Sequence, residues 1–260
     1  DVDRSTEAGL IRPTQTFDTD NMKVTIAGVD IELVFAPGET PDQIFVWLPK
    51  QKVLLPGDNI YKSFPNLYAI RGTSYRDVMD WVRSIDKMRE RKPAVLIPSH
   101  TGAVKGEAEI ETMLQNYRDA IQYVHDQTVR GINLGQTPDE LVESVRLPDA
   151  LATLPYLQEF YGSVEWSVRS IFSGYLGWFS GDAADLHPVT GSDRSNHFAK
   201  LAGGADALEK AAQDALQSGN HRWAVELAKE LSRLEGKRDV AAKILEQGFT
   251  KLAETSRSAN

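Results

Sequence analysis

Short apolar runs separated by turn residues dominate the first third of the chain. Residues 23–26, 29–36, 43–48 and 53–55 carry Val, Ile, Leu, Phe and Trp in stretches of strand length. Ala27-Gly28 divides the first two and Pro37-Gly38-Glu39-Thr40-Pro41-Asp42 the next two; Pro49-Lys50-Gln51-Lys52, a loop of hairpin length, divides the last two. The pattern predicts an antiparallel meander. Over 75–91 the period changes, because Val78, Trp81, Val82, Ile85 and Met88 recur at spacings of three and four, the stripe of a helix that buries one face. Ala94-Val95-Leu96-Ile97-Pro98 then reads as a buried strand. Meander, helix and strand together make half of an α/β sandwich.

From residue 107 the period stays helical. Helices are expected over 107–129, 138–145, 155–172, 205–218, 221–235 and 238–255, with no strand between them. Thr137-Pro138-Asp139-Glu140 marks one start clearly: an N-cap threonine, a proline in the first turn, and an acid placed to return the hydrogen bond. The last three helices are rich in Ala and are joined by Ser218-Gly219-Asn220 and Glu235-Gly236-Lys237, a layout of one and a half helical-repeat units. The expected division is an α/β part over 1–132 and an all-α part over 133–260.

At 260 residues the chain has the length of about two domains. Its 29 Lys+Arg against 37 Asp+Glu leave a net charge of −8, which supplies no surplus of cations for a nucleic-acid backbone. No apolar run approaches the roughly 18 residues that span a bilayer. The absence of cysteine excludes disulfides and thiolate metal sites, while leaving the compartment open. The chain begins without Met and ends directly after an amphipathic pattern, so it is expected to be a piece of a longer protein.

Three loops that follow strands carry ligand-type side chains. Glu39 follows Pro37-Gly38, Asp58 sits in Pro56-Gly57-Asp58-Asn59, and His100 sits in Pro98-Ser99-His100-Thr101-Gly102. Each alone fits an ordinary turn residue. Together they repeat one design: an apolar strand, a Pro or Gly that breaks it, then a carboxylate or imidazole aimed out of the sheet. Carboxylate oxygen and imidazole nitrogen are what a borderline metal such as zinc takes where thiolate is missing.

This order of strands and loops resembles the later half of the metallo-β-lactamase superfamily. Gly57-Asp58-Asn59 followed by Leu67-Tyr68-Ala69-Ile70-Arg71-Gly72 is similar to a segment of its zinc-dependent alkyl sulfatases. Tyr161-Gly162-Ser163-Val164-Glu165-Trp166-Ser167-Val168-Arg169 and Gly174-Tyr175-Leu176-Gly177-Trp178-Phe179 resemble the start of that family's helical dimerisation domain, as does Leu186-His187-Pro188. The resemblance implies hydrolysis of alkyl sulfate esters at a two-zinc site in a homodimer, and it leans toward a periplasmic or secreted protein. It makes Glu39 a ligand to one metal, Asp58 a bridging carboxylate with a catalytic part, and His100 a late histidine ligand. Arg71 becomes the contact to the sulfate, with Asn59 and Tyr61 as supporting or substrate contacts. Tyr175, with Trp166, Phe172, Trp178 and Phe179, becomes either the wall of an alkyl-chain channel or part of a helical core or dimer interface.

One feature departs from that family. Its early His-x-His-x-Asp-His motif is absent; the five histidines stand at 100, 125, 187, 197 and 221, none spaced to chelate with another. Three ligands do not hold two zinc ions, since catalytic zinc normally takes three protein ligands per metal. The remaining ligands are expected from a segment N-terminal to this chain, and the family's lipid-carrier-like C-terminal domain is likewise expected to lie outside these 260 residues. The other four histidines read as surface or structural. Two further readings stay open from the residues alone: another hydrolase of the same fold, such as an esterase or lactonase, and a helical interaction module carrying a degenerate α/β half.

Overall fold

The computed structural model describes residues 9, 12–70 and 72–258. Their contacts divide into two compact units, one made of the described residues up to His125 together with Pro148–Leu157, the other of Asp126–Leu147 and the residues from Gln158 onward. Among the described residues six strands form one mixed sheet in sequence order: β1 (Asn21–Ile26), β2 (Val29–Phe35), β3 (Ile44–Leu48), β4 (Val53–Leu55), β5 (Val95–Leu96) and β6 (Val104–Lys105). The helices are α1 (Val78–Glu90), α2 (Glu107–Asn133), α3 (Pro138–Ser144), α4 (Asp149–Ala152), α5 (Val164–Leu176), α6 (Gly191–Ala202), α7 (Ala205–Gln217), α8 (His221–Leu231) and α9 (Arg238–Thr255). Among the described residues no helix is long and apolar enough to cross a membrane.

In the first unit β1 to β4 pair antiparallel, as the meander predicts. β4 and β5 are parallel, with Val53 opposite Val95 and Leu54 opposite Leu96. A parallel pair needs a crossover, and α1 supplies it. That helix starts at Val78 rather than 75 because the Asp77 carboxylate accepts the N–H groups of Met79 and Asp80 and caps it there. Its stripe is buried as expected, Trp81, Ile85 and Met88 completely. Two long-range bonds hold it to the end of β2: Ser84 Oγ donates to the Pro37 carbonyl at 2.7 Å and Lys87 Nζ to that of Phe35 at 3.1 Å. The strand expected over 94–98 keeps only Val95 and Leu96 in the ladder, and its partner β6, two residues long, is too short to leave a period in the sequence.

The second unit is helical. Thr137 forms the expected capping box with Glu140. The single helix expected over 155–172 is instead a 3-10 turn at Pro155–Leu157 and a separate α5, because Ser163 is extended and its hydroxyl accepts the Trp166 N–H as a new cap. The helix α6 leaves only a short stripe in the sequence: Ser195 and Ala199 are buried and Phe198 packs against the core beside them. α6 through α9 share an Ala- and Leu-rich core that includes Leu208, Ala212, Ala224, Leu227, Leu231, Ala241 and Ile244. Gly248 lets α9 close on α8, since a Cβ there would come within 2.7 Å of Val225 Cγ2. Glu230 of α8 is 4% exposed. It accepts the Ser195 hydroxyl at 2.8 Å and lies 3.3 Å from both Arg194 Nε and Arg233 Nη1, tying α6 to α8.

Candidate metal centre

The loops after β2, β4 and β5 carry the three expected ligands, and their geometry follows from the sheet. Because β4 and β5 run parallel, their C-terminal ends emerge side by side. The Ile97 N–H donates to the Leu54 carbonyl at 2.8 Å, and one step further Ser99 N–H reaches the Gly57 carbonyl at 3.5 Å. Asp58 and His100 follow directly on those two residues. His100 Nε2 lies 3.6 Å from Asp58 Oδ1, with the side chains 73% and 39% exposed. That separation is long for a hydrogen bond. It is close to the roughly 3.4 Å between two ligands that sit about 2.1 Å from one tetrahedral zinc ion.

Glu39 is placed differently. Its side chain is 13% exposed and its Oε1 lies 3.4 Å from Nη2 of Arg76, itself 11% exposed. Arg76 also donates through Nη1 to the Asn66 carbonyl. The two therefore form a part-buried ion pair. Among the described residues no three His, Cys, Asp or Glu side chains cluster closely enough to hold a metal together. The structure thus brings Asp58 and His100 together and keeps Glu39 on Arg76. The donor chemistry and spacing of the Asp58–His100 pair fit a metal ion, and two ligands are fewer than a catalytic zinc requires.

Asn59 explains why the loops converge. It is fully buried, its Nδ2 donates to the Ala36 carbonyl at 2.7 Å, and its Oδ1 accepts the Glu39 N–H at 3.2 Å. The Trp81 indole N–H in turn donates to the Asn59 carbonyl at 2.9 Å. One side chain therefore clamps the Glu39 loop to the Asp58 loop, and α1 backs the clamp. Gly38 makes room for it, since a Cβ there would stand 2.1 Å from Asn59 Oδ1. Tyr61, 5% exposed, accepts the Asn66 N–H at 2.7 Å and meets Tyr117 edge to face at 6.3 Å. Burial pushes the Tyr117 hydroxyl well above the usual tyrosine pKa. These bonds of Asn59 and Tyr61 run to neighbouring backbone, the geometry of a supporting contact, one of the two roles expected of them.

Arg71 lies outside the described residues. Tyr175, in the last turn of α5, is 53% exposed and Trp178 77%, whereas Phe172 is buried, so the aromatic group is split between a helical core and a surface. His125 is buried in α2. The sequence singled out neither Arg76 nor Thr101. Arg76 stands in an ordinary helix approach, Tyr75-Arg76-Asp77, and only the fold turns it toward Glu39. Beside the loops a cavity of about 450 Å³ is lined by Lys62, Val104, Met113, Pro155 and Tyr156, among others.

Comparison with known proteins gives a consistent result. Residues 2–100 match the family model "Metallo-beta-lactamase superfamily", and residues 137–260 match "Alkyl sulfatase dimerisation". The chain is 42% identical over 253 residues to a linear primary-alkylsulfatase of a Pseudomonas species, covering 96% of this chain and 48% of that protein. It is 32% identical to an alkyl/aryl-sulfatase of Saccharomyces cerevisiae, covering 96% of this chain and 40% of that one. Among solved structures, a stereoselective inverting sec-alkylsulfatase from Pseudomonas sp. superposes with a TM-score of 0.90 at 29% identity, covering 96% of this chain and 40% of that one. The chain thus spans about half the length of these relatives or less.

Proposed function

Because this chain belongs to the alkyl sulfatase family of the metallo-beta-lactamase superfamily, we propose that its protein hydrolyses alkyl sulfate esters to alcohol and sulfate at a two-zinc centre. The observation that carries this reading is the likeness to alkylsulfatases along 96% of the chain, through both the strand-end loops and the helical part. The superfamily implies a metal cofactor; the choice of zinc is ours and rests on an oxygen and nitrogen donor set without cysteine. Asp58 and His100 would hold the metal as a pair, Glu39 would join them from the neighbouring loop, and the remaining ligands would come from outside the described residues. A metal bound there supplies Lewis-acid activation of water near neutral pH.

This chain's own residues supply position and charge. Asn59 holds the Glu39 and Asp58 loops at a fixed spacing through its two backbone bonds. Arg71 would place a planar guanidinium against the sulfate oxygens, matching their charge as alcohol and sulfate separate. Tyr175 and its aromatic neighbours would meet the alkyl chain or a second subunit; the helical part is of the type named for dimerisation, and we read the protein as a homodimer. We take 1–132 as the catalytic part and 133–260 as the dimerising part.

The test is chemical. A chelator is expected to abolish hydrolysis of dodecyl sulfate, and added zinc to restore it. Asp58→Ala or His100→Ala is expected to lower bound zinc and to reduce kcat by at least about a hundredfold, as loss of metal activation does. Full zinc content in both variants, or hydrolysis of a lactone with none of the sulfate ester, would overturn the reading.

A further inference from the structure

The residue after His100 is conformationally unusual. Thr101 has φ +72°, in the left-handed region. A β-branched side chain crowds the backbone there, so the conformation persists only where surrounding contacts impose it. The contact is visible: the Thr101 hydroxyl accepts the backbone N–H of Lys62 at 3.3 Å. Lys62 belongs to the segment that leaves Asp58. On the other side of the ligand pair, Ser99 N–H reaches the Gly57 carbonyl at 3.5 Å. Asp58 and His100, 3.6 Å apart, are therefore bracketed by two bonds between the same two loops, one from the backbone and one from a threonine hydroxyl.

We infer that Thr101 is a positioning residue which, through its hydroxyl, holds the His100 loop at ligand spacing from the Asp58 loop. This rests on the reading of Asp58 and His100 as metal ligands. The backbone bond at Ser99 survives any side-chain change, so it fixes only the strand side. Past His100 the sheet contributes no ladder bond until β6, and the exposed imidazole has the Thr101 bond as its tether on that side. The left-handed turn is what carries the Thr101 hydroxyl back to the Lys62 amide. Sequence statistics would place Gly or Asn at such a φ; threonine supplies an acceptor that glycine lacks.

Three variants separate hydroxyl from backbone. Thr101→Ser keeps the acceptor and removes the branch, Thr101→Val keeps the branch and removes the acceptor, and Thr101→Gly relieves the backbone and removes the acceptor. Two quantities are measured on the purified full-length protein: exchange of the Lys62 amide hydrogen without metal, and the zinc dissociation constant by competition with a chelator. Thr101→Ser is expected to match the wild type in both. Thr101→Val and Thr101→Gly are both expected to speed Lys62 exchange and to weaken zinc binding about tenfold, the scale on which groups that orient metal ligands act. Unchanged Lys62 exchange in Thr101→Val overturns the inference, as does faster exchange with unchanged zinc affinity. A wild type that binds no zinc overturns the metal reading itself, and Lys62 exchange then decides separately whether the hydroxyl couples the loops.

Discussion

The strand-end loops of the α/β unit and the α6–α9 hairpins solve the same problem, holding segments together, by different means. In the loops, the bonds join residues far apart in sequence: Asn59 to Ala36 and Glu39, Trp81 to Asn59, Ser84 to Pro37. In the hairpins, neighbouring helices pack through small residues such as Ala212, Ala224, Ala228 and Gly248, and the turns between them are short. The first arrangement sets a few side chains at a defined spacing; the second builds a surface. The difference teaches where disruption travels. A lost clamp in the loops is expected to move the Glu39, Asp58 and His100 side chains, whereas a lost contact in the hairpins is expected to cost stability and leave those loops intact.

The largest expected effect that sharpens this contrast is Trp81→Ala. The ring is fully buried and its N–H holds the Asn59 carbonyl, so the variant is expected to lose about 3–5 kcal/mol in denaturant unfolding. It is also expected to weaken metal uptake. Asn59→Ala comes next, at about 2–3 kcal/mol, because it strands a buried carbonyl and an N–H at once. Its zinc affinity should fall by more than that of any hairpin variant of equal stability, and equal losses would break the comparison. Glu230→Ala in the hairpins is expected to cost about 1–2 kcal/mol by leaving the buried Ser195 hydroxyl with one bond fewer, and to leave zinc affinity at the wild-type value.

The smallest effect concerns pH. Lys237 donates to Asp206 and, at 2.7 Å, to Glu209, which raises the lysine pKa and lowers that of Asp206. The Asp206 contribution is present above the ordinary carboxylate pKa and is lost as pH falls through the lowered one. The Lys237 contribution is present below the ordinary lysine pKa and is lost as pH rises through the raised one. Asp206 is fully exposed, so Lys237→Ala is expected to lower stability only slightly near neutral pH, and by less in high salt or in strong acid, where Asp206 is protonated. Thermal unfolding of the two proteins across pH checks this.

Much of this architecture was legible without coordinates wherever a pattern was local. The four meander strands, the α1 stripe and the Thr137 capping box each depend on residues a few positions apart, and the pattern marks each at nearly its observed bounds. α6 is not legible because its stripe is short, Phe198 and Ala199 beside a buried Ser195, and β6 is not because two residues hold no period. Residues 155–172 read as one helix in the sequence because Ser163, the cap that starts a new one, looks like any polar helix residue until its extended backbone is seen.

By itself, then, the sequence determined the run of elements, the carboxylates and histidine on strand-end loops, and the likeness to alkyl sulfatases. Only the tertiary structure decided that His100 faces Asp58 at 3.6 Å, that Glu39 is engaged by Arg76, and that Asn59 and Thr101 tie those loops together. The reason is physical. Strand and helix periods follow from backbone geometry within a few residues. The distance between two loop tips is set by the register of separate strands and by single hydrogen bonds between groups 20 to 39 positions apart, and no local pattern in the chain encodes these.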